Sequence, residues 1–126
     1  MNLERRKTQI LLDSSFLIDC IEFKVDFVEQ LKEKIGKFEL LVTSSVLSEL
    51  KRMAKTKPNA RLVLLLLEKY KVKTIESEFK GDESLLRKAL ELNAFVATND
   101  RELRKKLKSL SIKTIYLRNR KIVEIS

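Results

Sequence analysis

Two short apolar runs in this chain each stop at an aspartate and pass at once into a helical pattern. Gln9-Ile10-Leu11-Leu12 ends at Asp13 before Ser14-Ser15-Phe16-Leu17-Ile18, and Ala94-Phe95-Val96-Ala97-Thr98-Asn99 ends at Asp100 before Arg101-Glu102-Leu103. Strands that lead directly into helices build an open parallel sheet, and their ends line a crevice outside the carboxyl edge. Two carboxylates at such an edge, in a chain of formal charge +9, point to a cation site that faces a polyanion.

The same alternation runs through the whole chain. A strand over 9–13 leads into a short helix through 20. A second helix over about 26–35 puts Phe27, Val28, Leu31 and Ile35 on one face, and Gly36 closes it. After a strand at 38–42, Ser44 or Ser45 caps a helix reaching about Thr56, and Pro58 opens another to about Tyr70. A strand at 72–75 precedes a helix opened by Gly81-Asp82-Glu83-Ser84, which carries Leu85, Leu86, Ala89 and Leu90. Strand 94–98, helix 101–110, strand 112–117 and an edge strand at 122–125 complete the reading. No repeat or linker interrupts it, and 126 residues bury one core. The expectation is a single α/β domain over 1–126, a three-layer α/β/α sandwich with a mainly parallel central sheet.

Composition narrows the chemistry. The chain has no histidine and one cysteine, Cys20, which removes imidazole bases, Ser-His and Cys-His nucleophiles and thiolate clusters. An enzyme of this composition must work through carboxylates, alone or with oxygen-liganded Mg²⁺ or Mn²⁺. The longest apolar run, Leu62 to Leu67, falls far short of the roughly 20 residues of a membrane span. With no leader-like N-terminal segment, a cytoplasmic protein without membrane contact is expected. Charged residues at 36% lean toward a thermophilic source. The basic residues lie in separate groups, Arg5-Arg6-Lys7, Lys51-Arg52, Arg104-Lys105-Lys106 and Arg118-Asn119-Arg120-Lys121. That spread suits a folded nucleic-acid binder, and equally a surface solvated by lysine.

Each acid has a plain structural account. Asp13 and Asp100 stand where an N-cap is wanted. Glu49 sits beside the stripe formed by Val46, Leu47, Leu50, Met53 and Ala54, where it reaches either a surface cation or a crevice. Asp82 projects with Leu86 and Leu90, hence toward the core side, where a lone carboxylate needs a partner or a cation. Glu102 is a further acid beside Asp100, or a charge that only favours its helix N-terminus. Taken together, the first four lie at strand ends or early in the helices that follow strands. Clustered carboxylates repel one another unless a cation neutralises them.

At these residues the chain resembles the PIN-domain nucleases. The likeness spans about residues 8 to 125 and rests on four pieces of text in order: Asp13-Ser14-Ser15-Phe16-Leu17; Ser44-Ser45-Val46-Leu47-Ser48-Glu49-Leu50; the helix-opening Asp82; and Ala97-Thr98-Asn99-Asp100. Ser15 stands where many relatives carry Asn, and Glu102 where many carry Asp. The ending Ile115-Tyr116-Leu117-Arg118-Asn119-Arg120-Lys121 is similar to a branch of archaeal single-domain proteins that includes a ribosomal-RNA processing endonuclease. The resemblance implies a PIN-like fold and Mg²⁺- or Mn²⁺-dependent endoribonuclease activity that leaves 5′-phosphate and 3′-hydroxyl ends. It implies Asp13, Glu49, Asp82 and Asp100 as catalytic metal ligands, and commonly a homodimer. Ser14 and Thr98 would orient the carboxylates, while Lys51, Arg52, Arg101 and Arg104 would clamp RNA phosphates. A toxin paired with an antitoxin protein and an rRNA-maturation nuclease share these acids. The rival reading is a non-catalytic RNA- or protein-binding module on the same fold.

Overall fold

The computed structural model describes residues 7–126, so Arg5 and Arg6 of the first basic group lie outside it. Chain order is β1 (Thr8–Leu12), α1 (Ser14–Glu22), α2 (Phe27–Lys34), β2 (Phe38–Thr43), α3 (Ser44–Met53) and α4 (Pro58–Lys69). There follow β3 (Lys73–Ile75), α5 (Gly81–Leu92), β4 (Phe95–Ala97), α6 (Arg101–Ser109), β5 (Thr114–Arg118) and β6 (Ile122–Ile125). All strands join one sheet in the order β3-β2-β1-β4-β5-β6, parallel throughout except for the antiparallel edge pair β5–β6.

The central strand shows why the sequence reads as it does. Ile10, Leu11 and Leu12 are all fully buried, because helices cover both faces of this part of β1, while Thr8 and Gln9 at its start are only partly buried. Leu11 sits opposite Leu41 on one side and Val96 on the other. Right-handed crossovers put the helices between β1 and β3 on one face and those between β3 and β5 on the other. Contacts agree: α4 packs on α1 and α3, while α5 lies across β1, β2 and β4. The three-layer α/β/α fold expected from the sequence is the fold observed.

Local chemistry sets the element ends. Asp13, Asp26, Thr43 and Asp100 cap α1, α2, α3 and α6 with their side-chain oxygens. Gly36 adopts φ +89°, closing the turn from α2 into β2. Two expectations need correction here. The cap of α3 is Thr43, whose Oγ1 accepts from the Val46 N–H at 3.2 Å, and Ser44 and Ser45 lie inside the helix with their hydroxyls used elsewhere. That helix also stops at Met53 instead of Thr56, because the Lys55 and Thr56 N–H groups bond only three residues back, to Arg52 and Met53, and tighten the chain into a turn before α4.

Phe16 and Phe27 meet edge to face at 5.4 Å between ring centroids, both almost wholly buried. This pair fastens α1 to α2 within the core. Phe16→Ala should therefore lower the unfolding free energy by about 3–5 kcal/mol. Equilibrium denaturation checks this, and a loss well under 1 kcal/mol would contradict the packing described.

Candidate active site

The strand order reverses between β1 and β4, since the chain steps one way from β1 through β3 and the other way from β4 onward. In open α/β sheets, crevices form outside the carboxyl ends at that switch point. Asp13 follows β1 and Asp100 follows β4, one on each side of it. The Asp13 N–H still bonds the Ala97 carbonyl at 2.9 Å, so the two strands remain zipped up to the acid.

Hydroxyl groups then tie the acids into one frame. Asp13 Oδ1 accepts the Ser14 N–H at 2.9 Å, and its Oδ2 accepts from Ser15 Oγ at 2.8 Å and from Thr98 Oγ1 at 2.7 Å. Thr98, fully buried, also accepts the Asp100 N–H at 3.1 Å, so one hydroxyl bridges the two strand-end acids. Ser14 Oγ donates to Glu49 Oε1 at 2.6 Å, joining α1 to α3. Asp100 Oδ1 accepts from the Glu102 and Leu103 N–H groups at 2.9 and 3.2 Å. The Gly81 N–H donates to Ser45 Oγ at 2.9 Å, which holds the first turn of α5, and with it Asp82, beside the first turn of α3.

An open pocket of about 550 Å³ results, and Asp13, Glu49, Asp82 and Asp100 all line it. The expectation that Asp82 points toward the core is wrong. Its side chain is exposed, because the first turn of α5 projects past the end of β2, where the apolar layer has given way to the pocket. The buried stripe of α5 is Ser84, Leu85 and Ala89, and Leu90 is 56% exposed.

Charge marks the pocket as an electrostatic unit. Burial pushes the Asp13 carboxyl above its ordinary value against the hydrogen bonds from Thr98, Ser15 and Ser14, and the Glu49 charge adds to the rise. Asp82 is raised by partial burial, then by Asp100 and Glu49, with Lys106 opposing. The two shifts thus name all four carboxylates. The donor set is oxygen only, which suits a hard divalent cation such as Mg²⁺ or Mn²⁺. The acids stand apart, Asp13, Glu49 and Asp100 held by their own donors, and among the described residues no three acidic, histidine or cysteine side chains are already grouped at ligand spacing.

The other expected residues divide. Ser14 and Thr98 touch the acids as described above. Glu102 does not line the pocket; it is exposed and pairs with Lys105 at 3.8 Å. Arg52 lines the pocket. Lys51 is exposed on α3 outside it, and Arg101 and Arg104 line a separate hollow on α6, where Arg104 stacks at 4.0 Å on the Tyr116 ring. Sequence reasoning underused Ser15, Ser45 and Lys80. A signal existed, since Ser14-Ser15 and Ser44-Ser45 both sit at strand-to-helix junctions. Asn99 serves as a brace, donating to Asp19 Oδ2 at 2.8 Å and accepting the Leu117 N–H at 2.9 Å.

Comparison with known proteins follows the same lines. Residues 10–120 match the family described as PIN like domain. Ribonuclease VapC9 of Archaeoglobus fulgidus is 36% identical over 118 residues, covering 90% of this chain and 85% of that protein. Ribonuclease VapC4 of Methanocaldococcus jannaschii is 32% identical over 126 residues, covering 93% of this chain and 95% of that protein. The PIN domain endonuclease Utp24 superposes with a TM-score of 0.79 at 19% identity, over 94% of this chain and 90% of its own. A PilT N-terminus domain protein from Sulfolobus solfataricus superposes at 0.57 and 14%, over 86% of this chain and 87% of its own. These last two likenesses concern the fold.

The raised Asp13 carboxyl has a consequence for stability. Its folded-state pKa lies above the unfolded value near 3.8, so the folded chain holds the proton more tightly, and stability falls as pH rises through that window. Asp13→Asn removes the ionised form. In EDTA, the variant's melting temperature relative to wild type should therefore be higher at pH 7 than near pH 3.8. A difference that stays constant across that range would contradict an electrostatic penalty at Asp13.

Proposed function

The chain belongs to the PIN like domain family, and we propose that it is an endoribonuclease hydrolysing RNA phosphodiester bonds in the four-carboxylate pocket. The single observation that carries this reading is the meeting of Asp13, Glu49, Asp82 and Asp100, from four separate segments, around one open pocket. Relatives at 36% and 32% identity over nearly the whole chain bear the name ribonuclease.

Asp13, Glu49, Asp82 and Asp100 would hold Mg²⁺ or Mn²⁺, which when bound acidifies water and neutralises charge on the leaving oxygen. The chain's own part is positioning. Three donors fix Asp13 in one rotamer, and Ser14 aims Glu49 into the pocket. Asp100 is held rigid as the cap of α6, with only its Oδ1 engaged by backbone donors. Among the described residues no hydrogen bond or ion pair reaches the Asp82 carboxylate, which leaves both its oxygens for a cation. Arg52 and Lys80 share the pocket wall and supply positive charge for a substrate phosphate. Lys51, Arg101 and Arg104 would extend that attraction along the surface.

Between the two roles of such nucleases, we favour the toxin type with an antitoxin protein as partner. The relatives above 30% identity are VapC ribonucleases, whereas Utp24 shares the fold at 19%. A homodimer would cover Leu62 and Leu65, which α4 leaves 48% and 62% exposed. No helix of the described residues is long and apolar enough to cross a membrane.

Asp82→Asn is the cleanest test, because this side chain supports no other contact. It should lower RNA cleavage by at least about 100-fold, the scale on which losing one group that stabilises transition-state charge acts. RNA affinity should hold or tighten, since a negative charge is removed. Wild-type protein that never cuts RNA with Mg²⁺ or Mn²⁺ supplied would instead make this a binding module. Arg52→Ala should weaken RNA binding and flatten its dependence on salt by roughly 0.7 in log–log slope, one phosphate contact on a single strand. An unchanged slope would remove Arg52 from the phosphate path.

A further inference from the structure

Phe79 is a large apolar side chain left 38% exposed on the loop between β3 and α5. It stands on the wall of the four-carboxylate pocket and also lines a neighbouring hollow of about 670 Å³. The loop carrying it is pinned at both ends to α3. The Ser77 N–H donates to Ser44 Oγ at 3.0 Å, and the Gly81 N–H donates to Ser45 Oγ at 2.9 Å. Between those points Ser77 Oγ donates to the Phe79 carbonyl at 2.9 Å and accepts the Phe79 N–H at 3.2 Å. The ring itself is backed by the Arg87 guanidinium, 4.2 Å from its centroid, and Arg87 is steadied by Glu83 at 3.0 Å. An exposed ring held this firmly is a prepared surface, since a merely stranded phenylalanine would have no such support.

We propose that Phe79, backed by Arg87, is a stacking platform for a nucleobase of the RNA strand beside the scissile phosphate. This deepens the ribonuclease reading and rests on it for the identity of the polymer. Two features select a base over a phosphate. The hollow on the far side of Phe79 is lined by three acids, Glu76, Glu78 and Glu91, and by two cations already engaged, Lys88 with Glu91 at 2.8 Å and Arg87 with Glu83 at 3.0 Å. Among the described residues the charge left over is that of Glu76 and Glu78, which repels a phosphate. Carboxylates accept hydrogen bonds, and every base presents N–H groups on its Watson–Crick edge. The cations that suit phosphate, Arg52 and Lys80, lie on the acid-pocket side of the same ring. A strand threaded past Phe79 thus meets positive charge where its backbone runs and an aromatic face with acceptors where its base turns. Stacking on one aromatic ring is tolerant of base identity, and the glutamates would add a preference among bases.

The chain has no tryptophan, so Phe79→Trp installs a single fluorescent reporter at the platform. In EDTA, short single-stranded RNA should quench that fluorescence, whereas an abasic ribose-phosphate strand of equal charge should not. Phe79→Ala should weaken RNA binding by between about five- and a hundredfold, Phe79→Trp should restore it, and the abasic strand should bind both variants alike. Equal quenching by the abasic strand, or unchanged affinity in Phe79→Ala, overturns the platform. Because these readouts need no cleavage, they stand apart from the nuclease assay. A protein that binds through Phe79 but never cuts keeps the platform and loses the hydrolytic reading.

Discussion

Parallel pairing of β1 with both β2 and β4 is the constraint on which the rest depends. It sets the carboxyl ends of three strands at one edge, with Leu12 opposite Ala97 and Leu11 opposite Leu41. Three of the four acids are attached just beyond those ends, and Asp82 joins them through α5, whose first turn is tied to Ser45. Asp13 follows β1, Glu49 lies in the helix after β2, and Asp100 follows β4. The polar residues flanking Ile10-Leu11-Leu12 fix the arrangement, because a slip would draw Gln9 or Asp13 into the stretch that helices bury on both faces.

Four carboxylates gathered at one edge repel one another, and the structure answers with hydroxyls. Ser14, Ser15 and Thr98 each donate to an acid, while Thr43, Ser44 and Ser45 organise α3 and the α5 approach through other contacts. Short hydroxyl side chains suit this work, since they orient an oxygen without adding charge. The surplus of basic residues elsewhere gives the chain its +9 and sets a negative pocket in a positive surround. Such a surface would draw a polyanion, and such a pocket would draw a divalent cation.

Much of the fold was legible because strand and helix periods differ so clearly along the chain. The alternation placed all twelve elements of the described residues, with end shifts of a few residues. Ser44 and Ser45 both fit an N-cap on paper, and only the chain path after β2 gives that place to Thr43. Asp13 and Asp100 were readable as strand-end acids, and both do cap helices while lining the pocket. Asp82 was misread because helical projection gives the direction of a side chain but not where along the sheet its turn lies. Glu102 and Arg104 stand off the acid pocket for a related reason: both line a separate hollow on α6, and only its N-cap, Asp100, reaches the pocket. Phe79 carried no periodic signal, being a loop residue fixed by hydroxyls distant in sequence. Cys20, buried against the core with its thiol pushed up by burial, takes no part.

The central claim is that these four acids share a divalent cation. Anomalous diffraction from crystals soaked in Mn²⁺ tests it most directly. The account predicts a manganese peak bounded by Asp13, Glu49, Asp82 and Asp100. A manganese ion bound elsewhere with that pocket empty would contradict it.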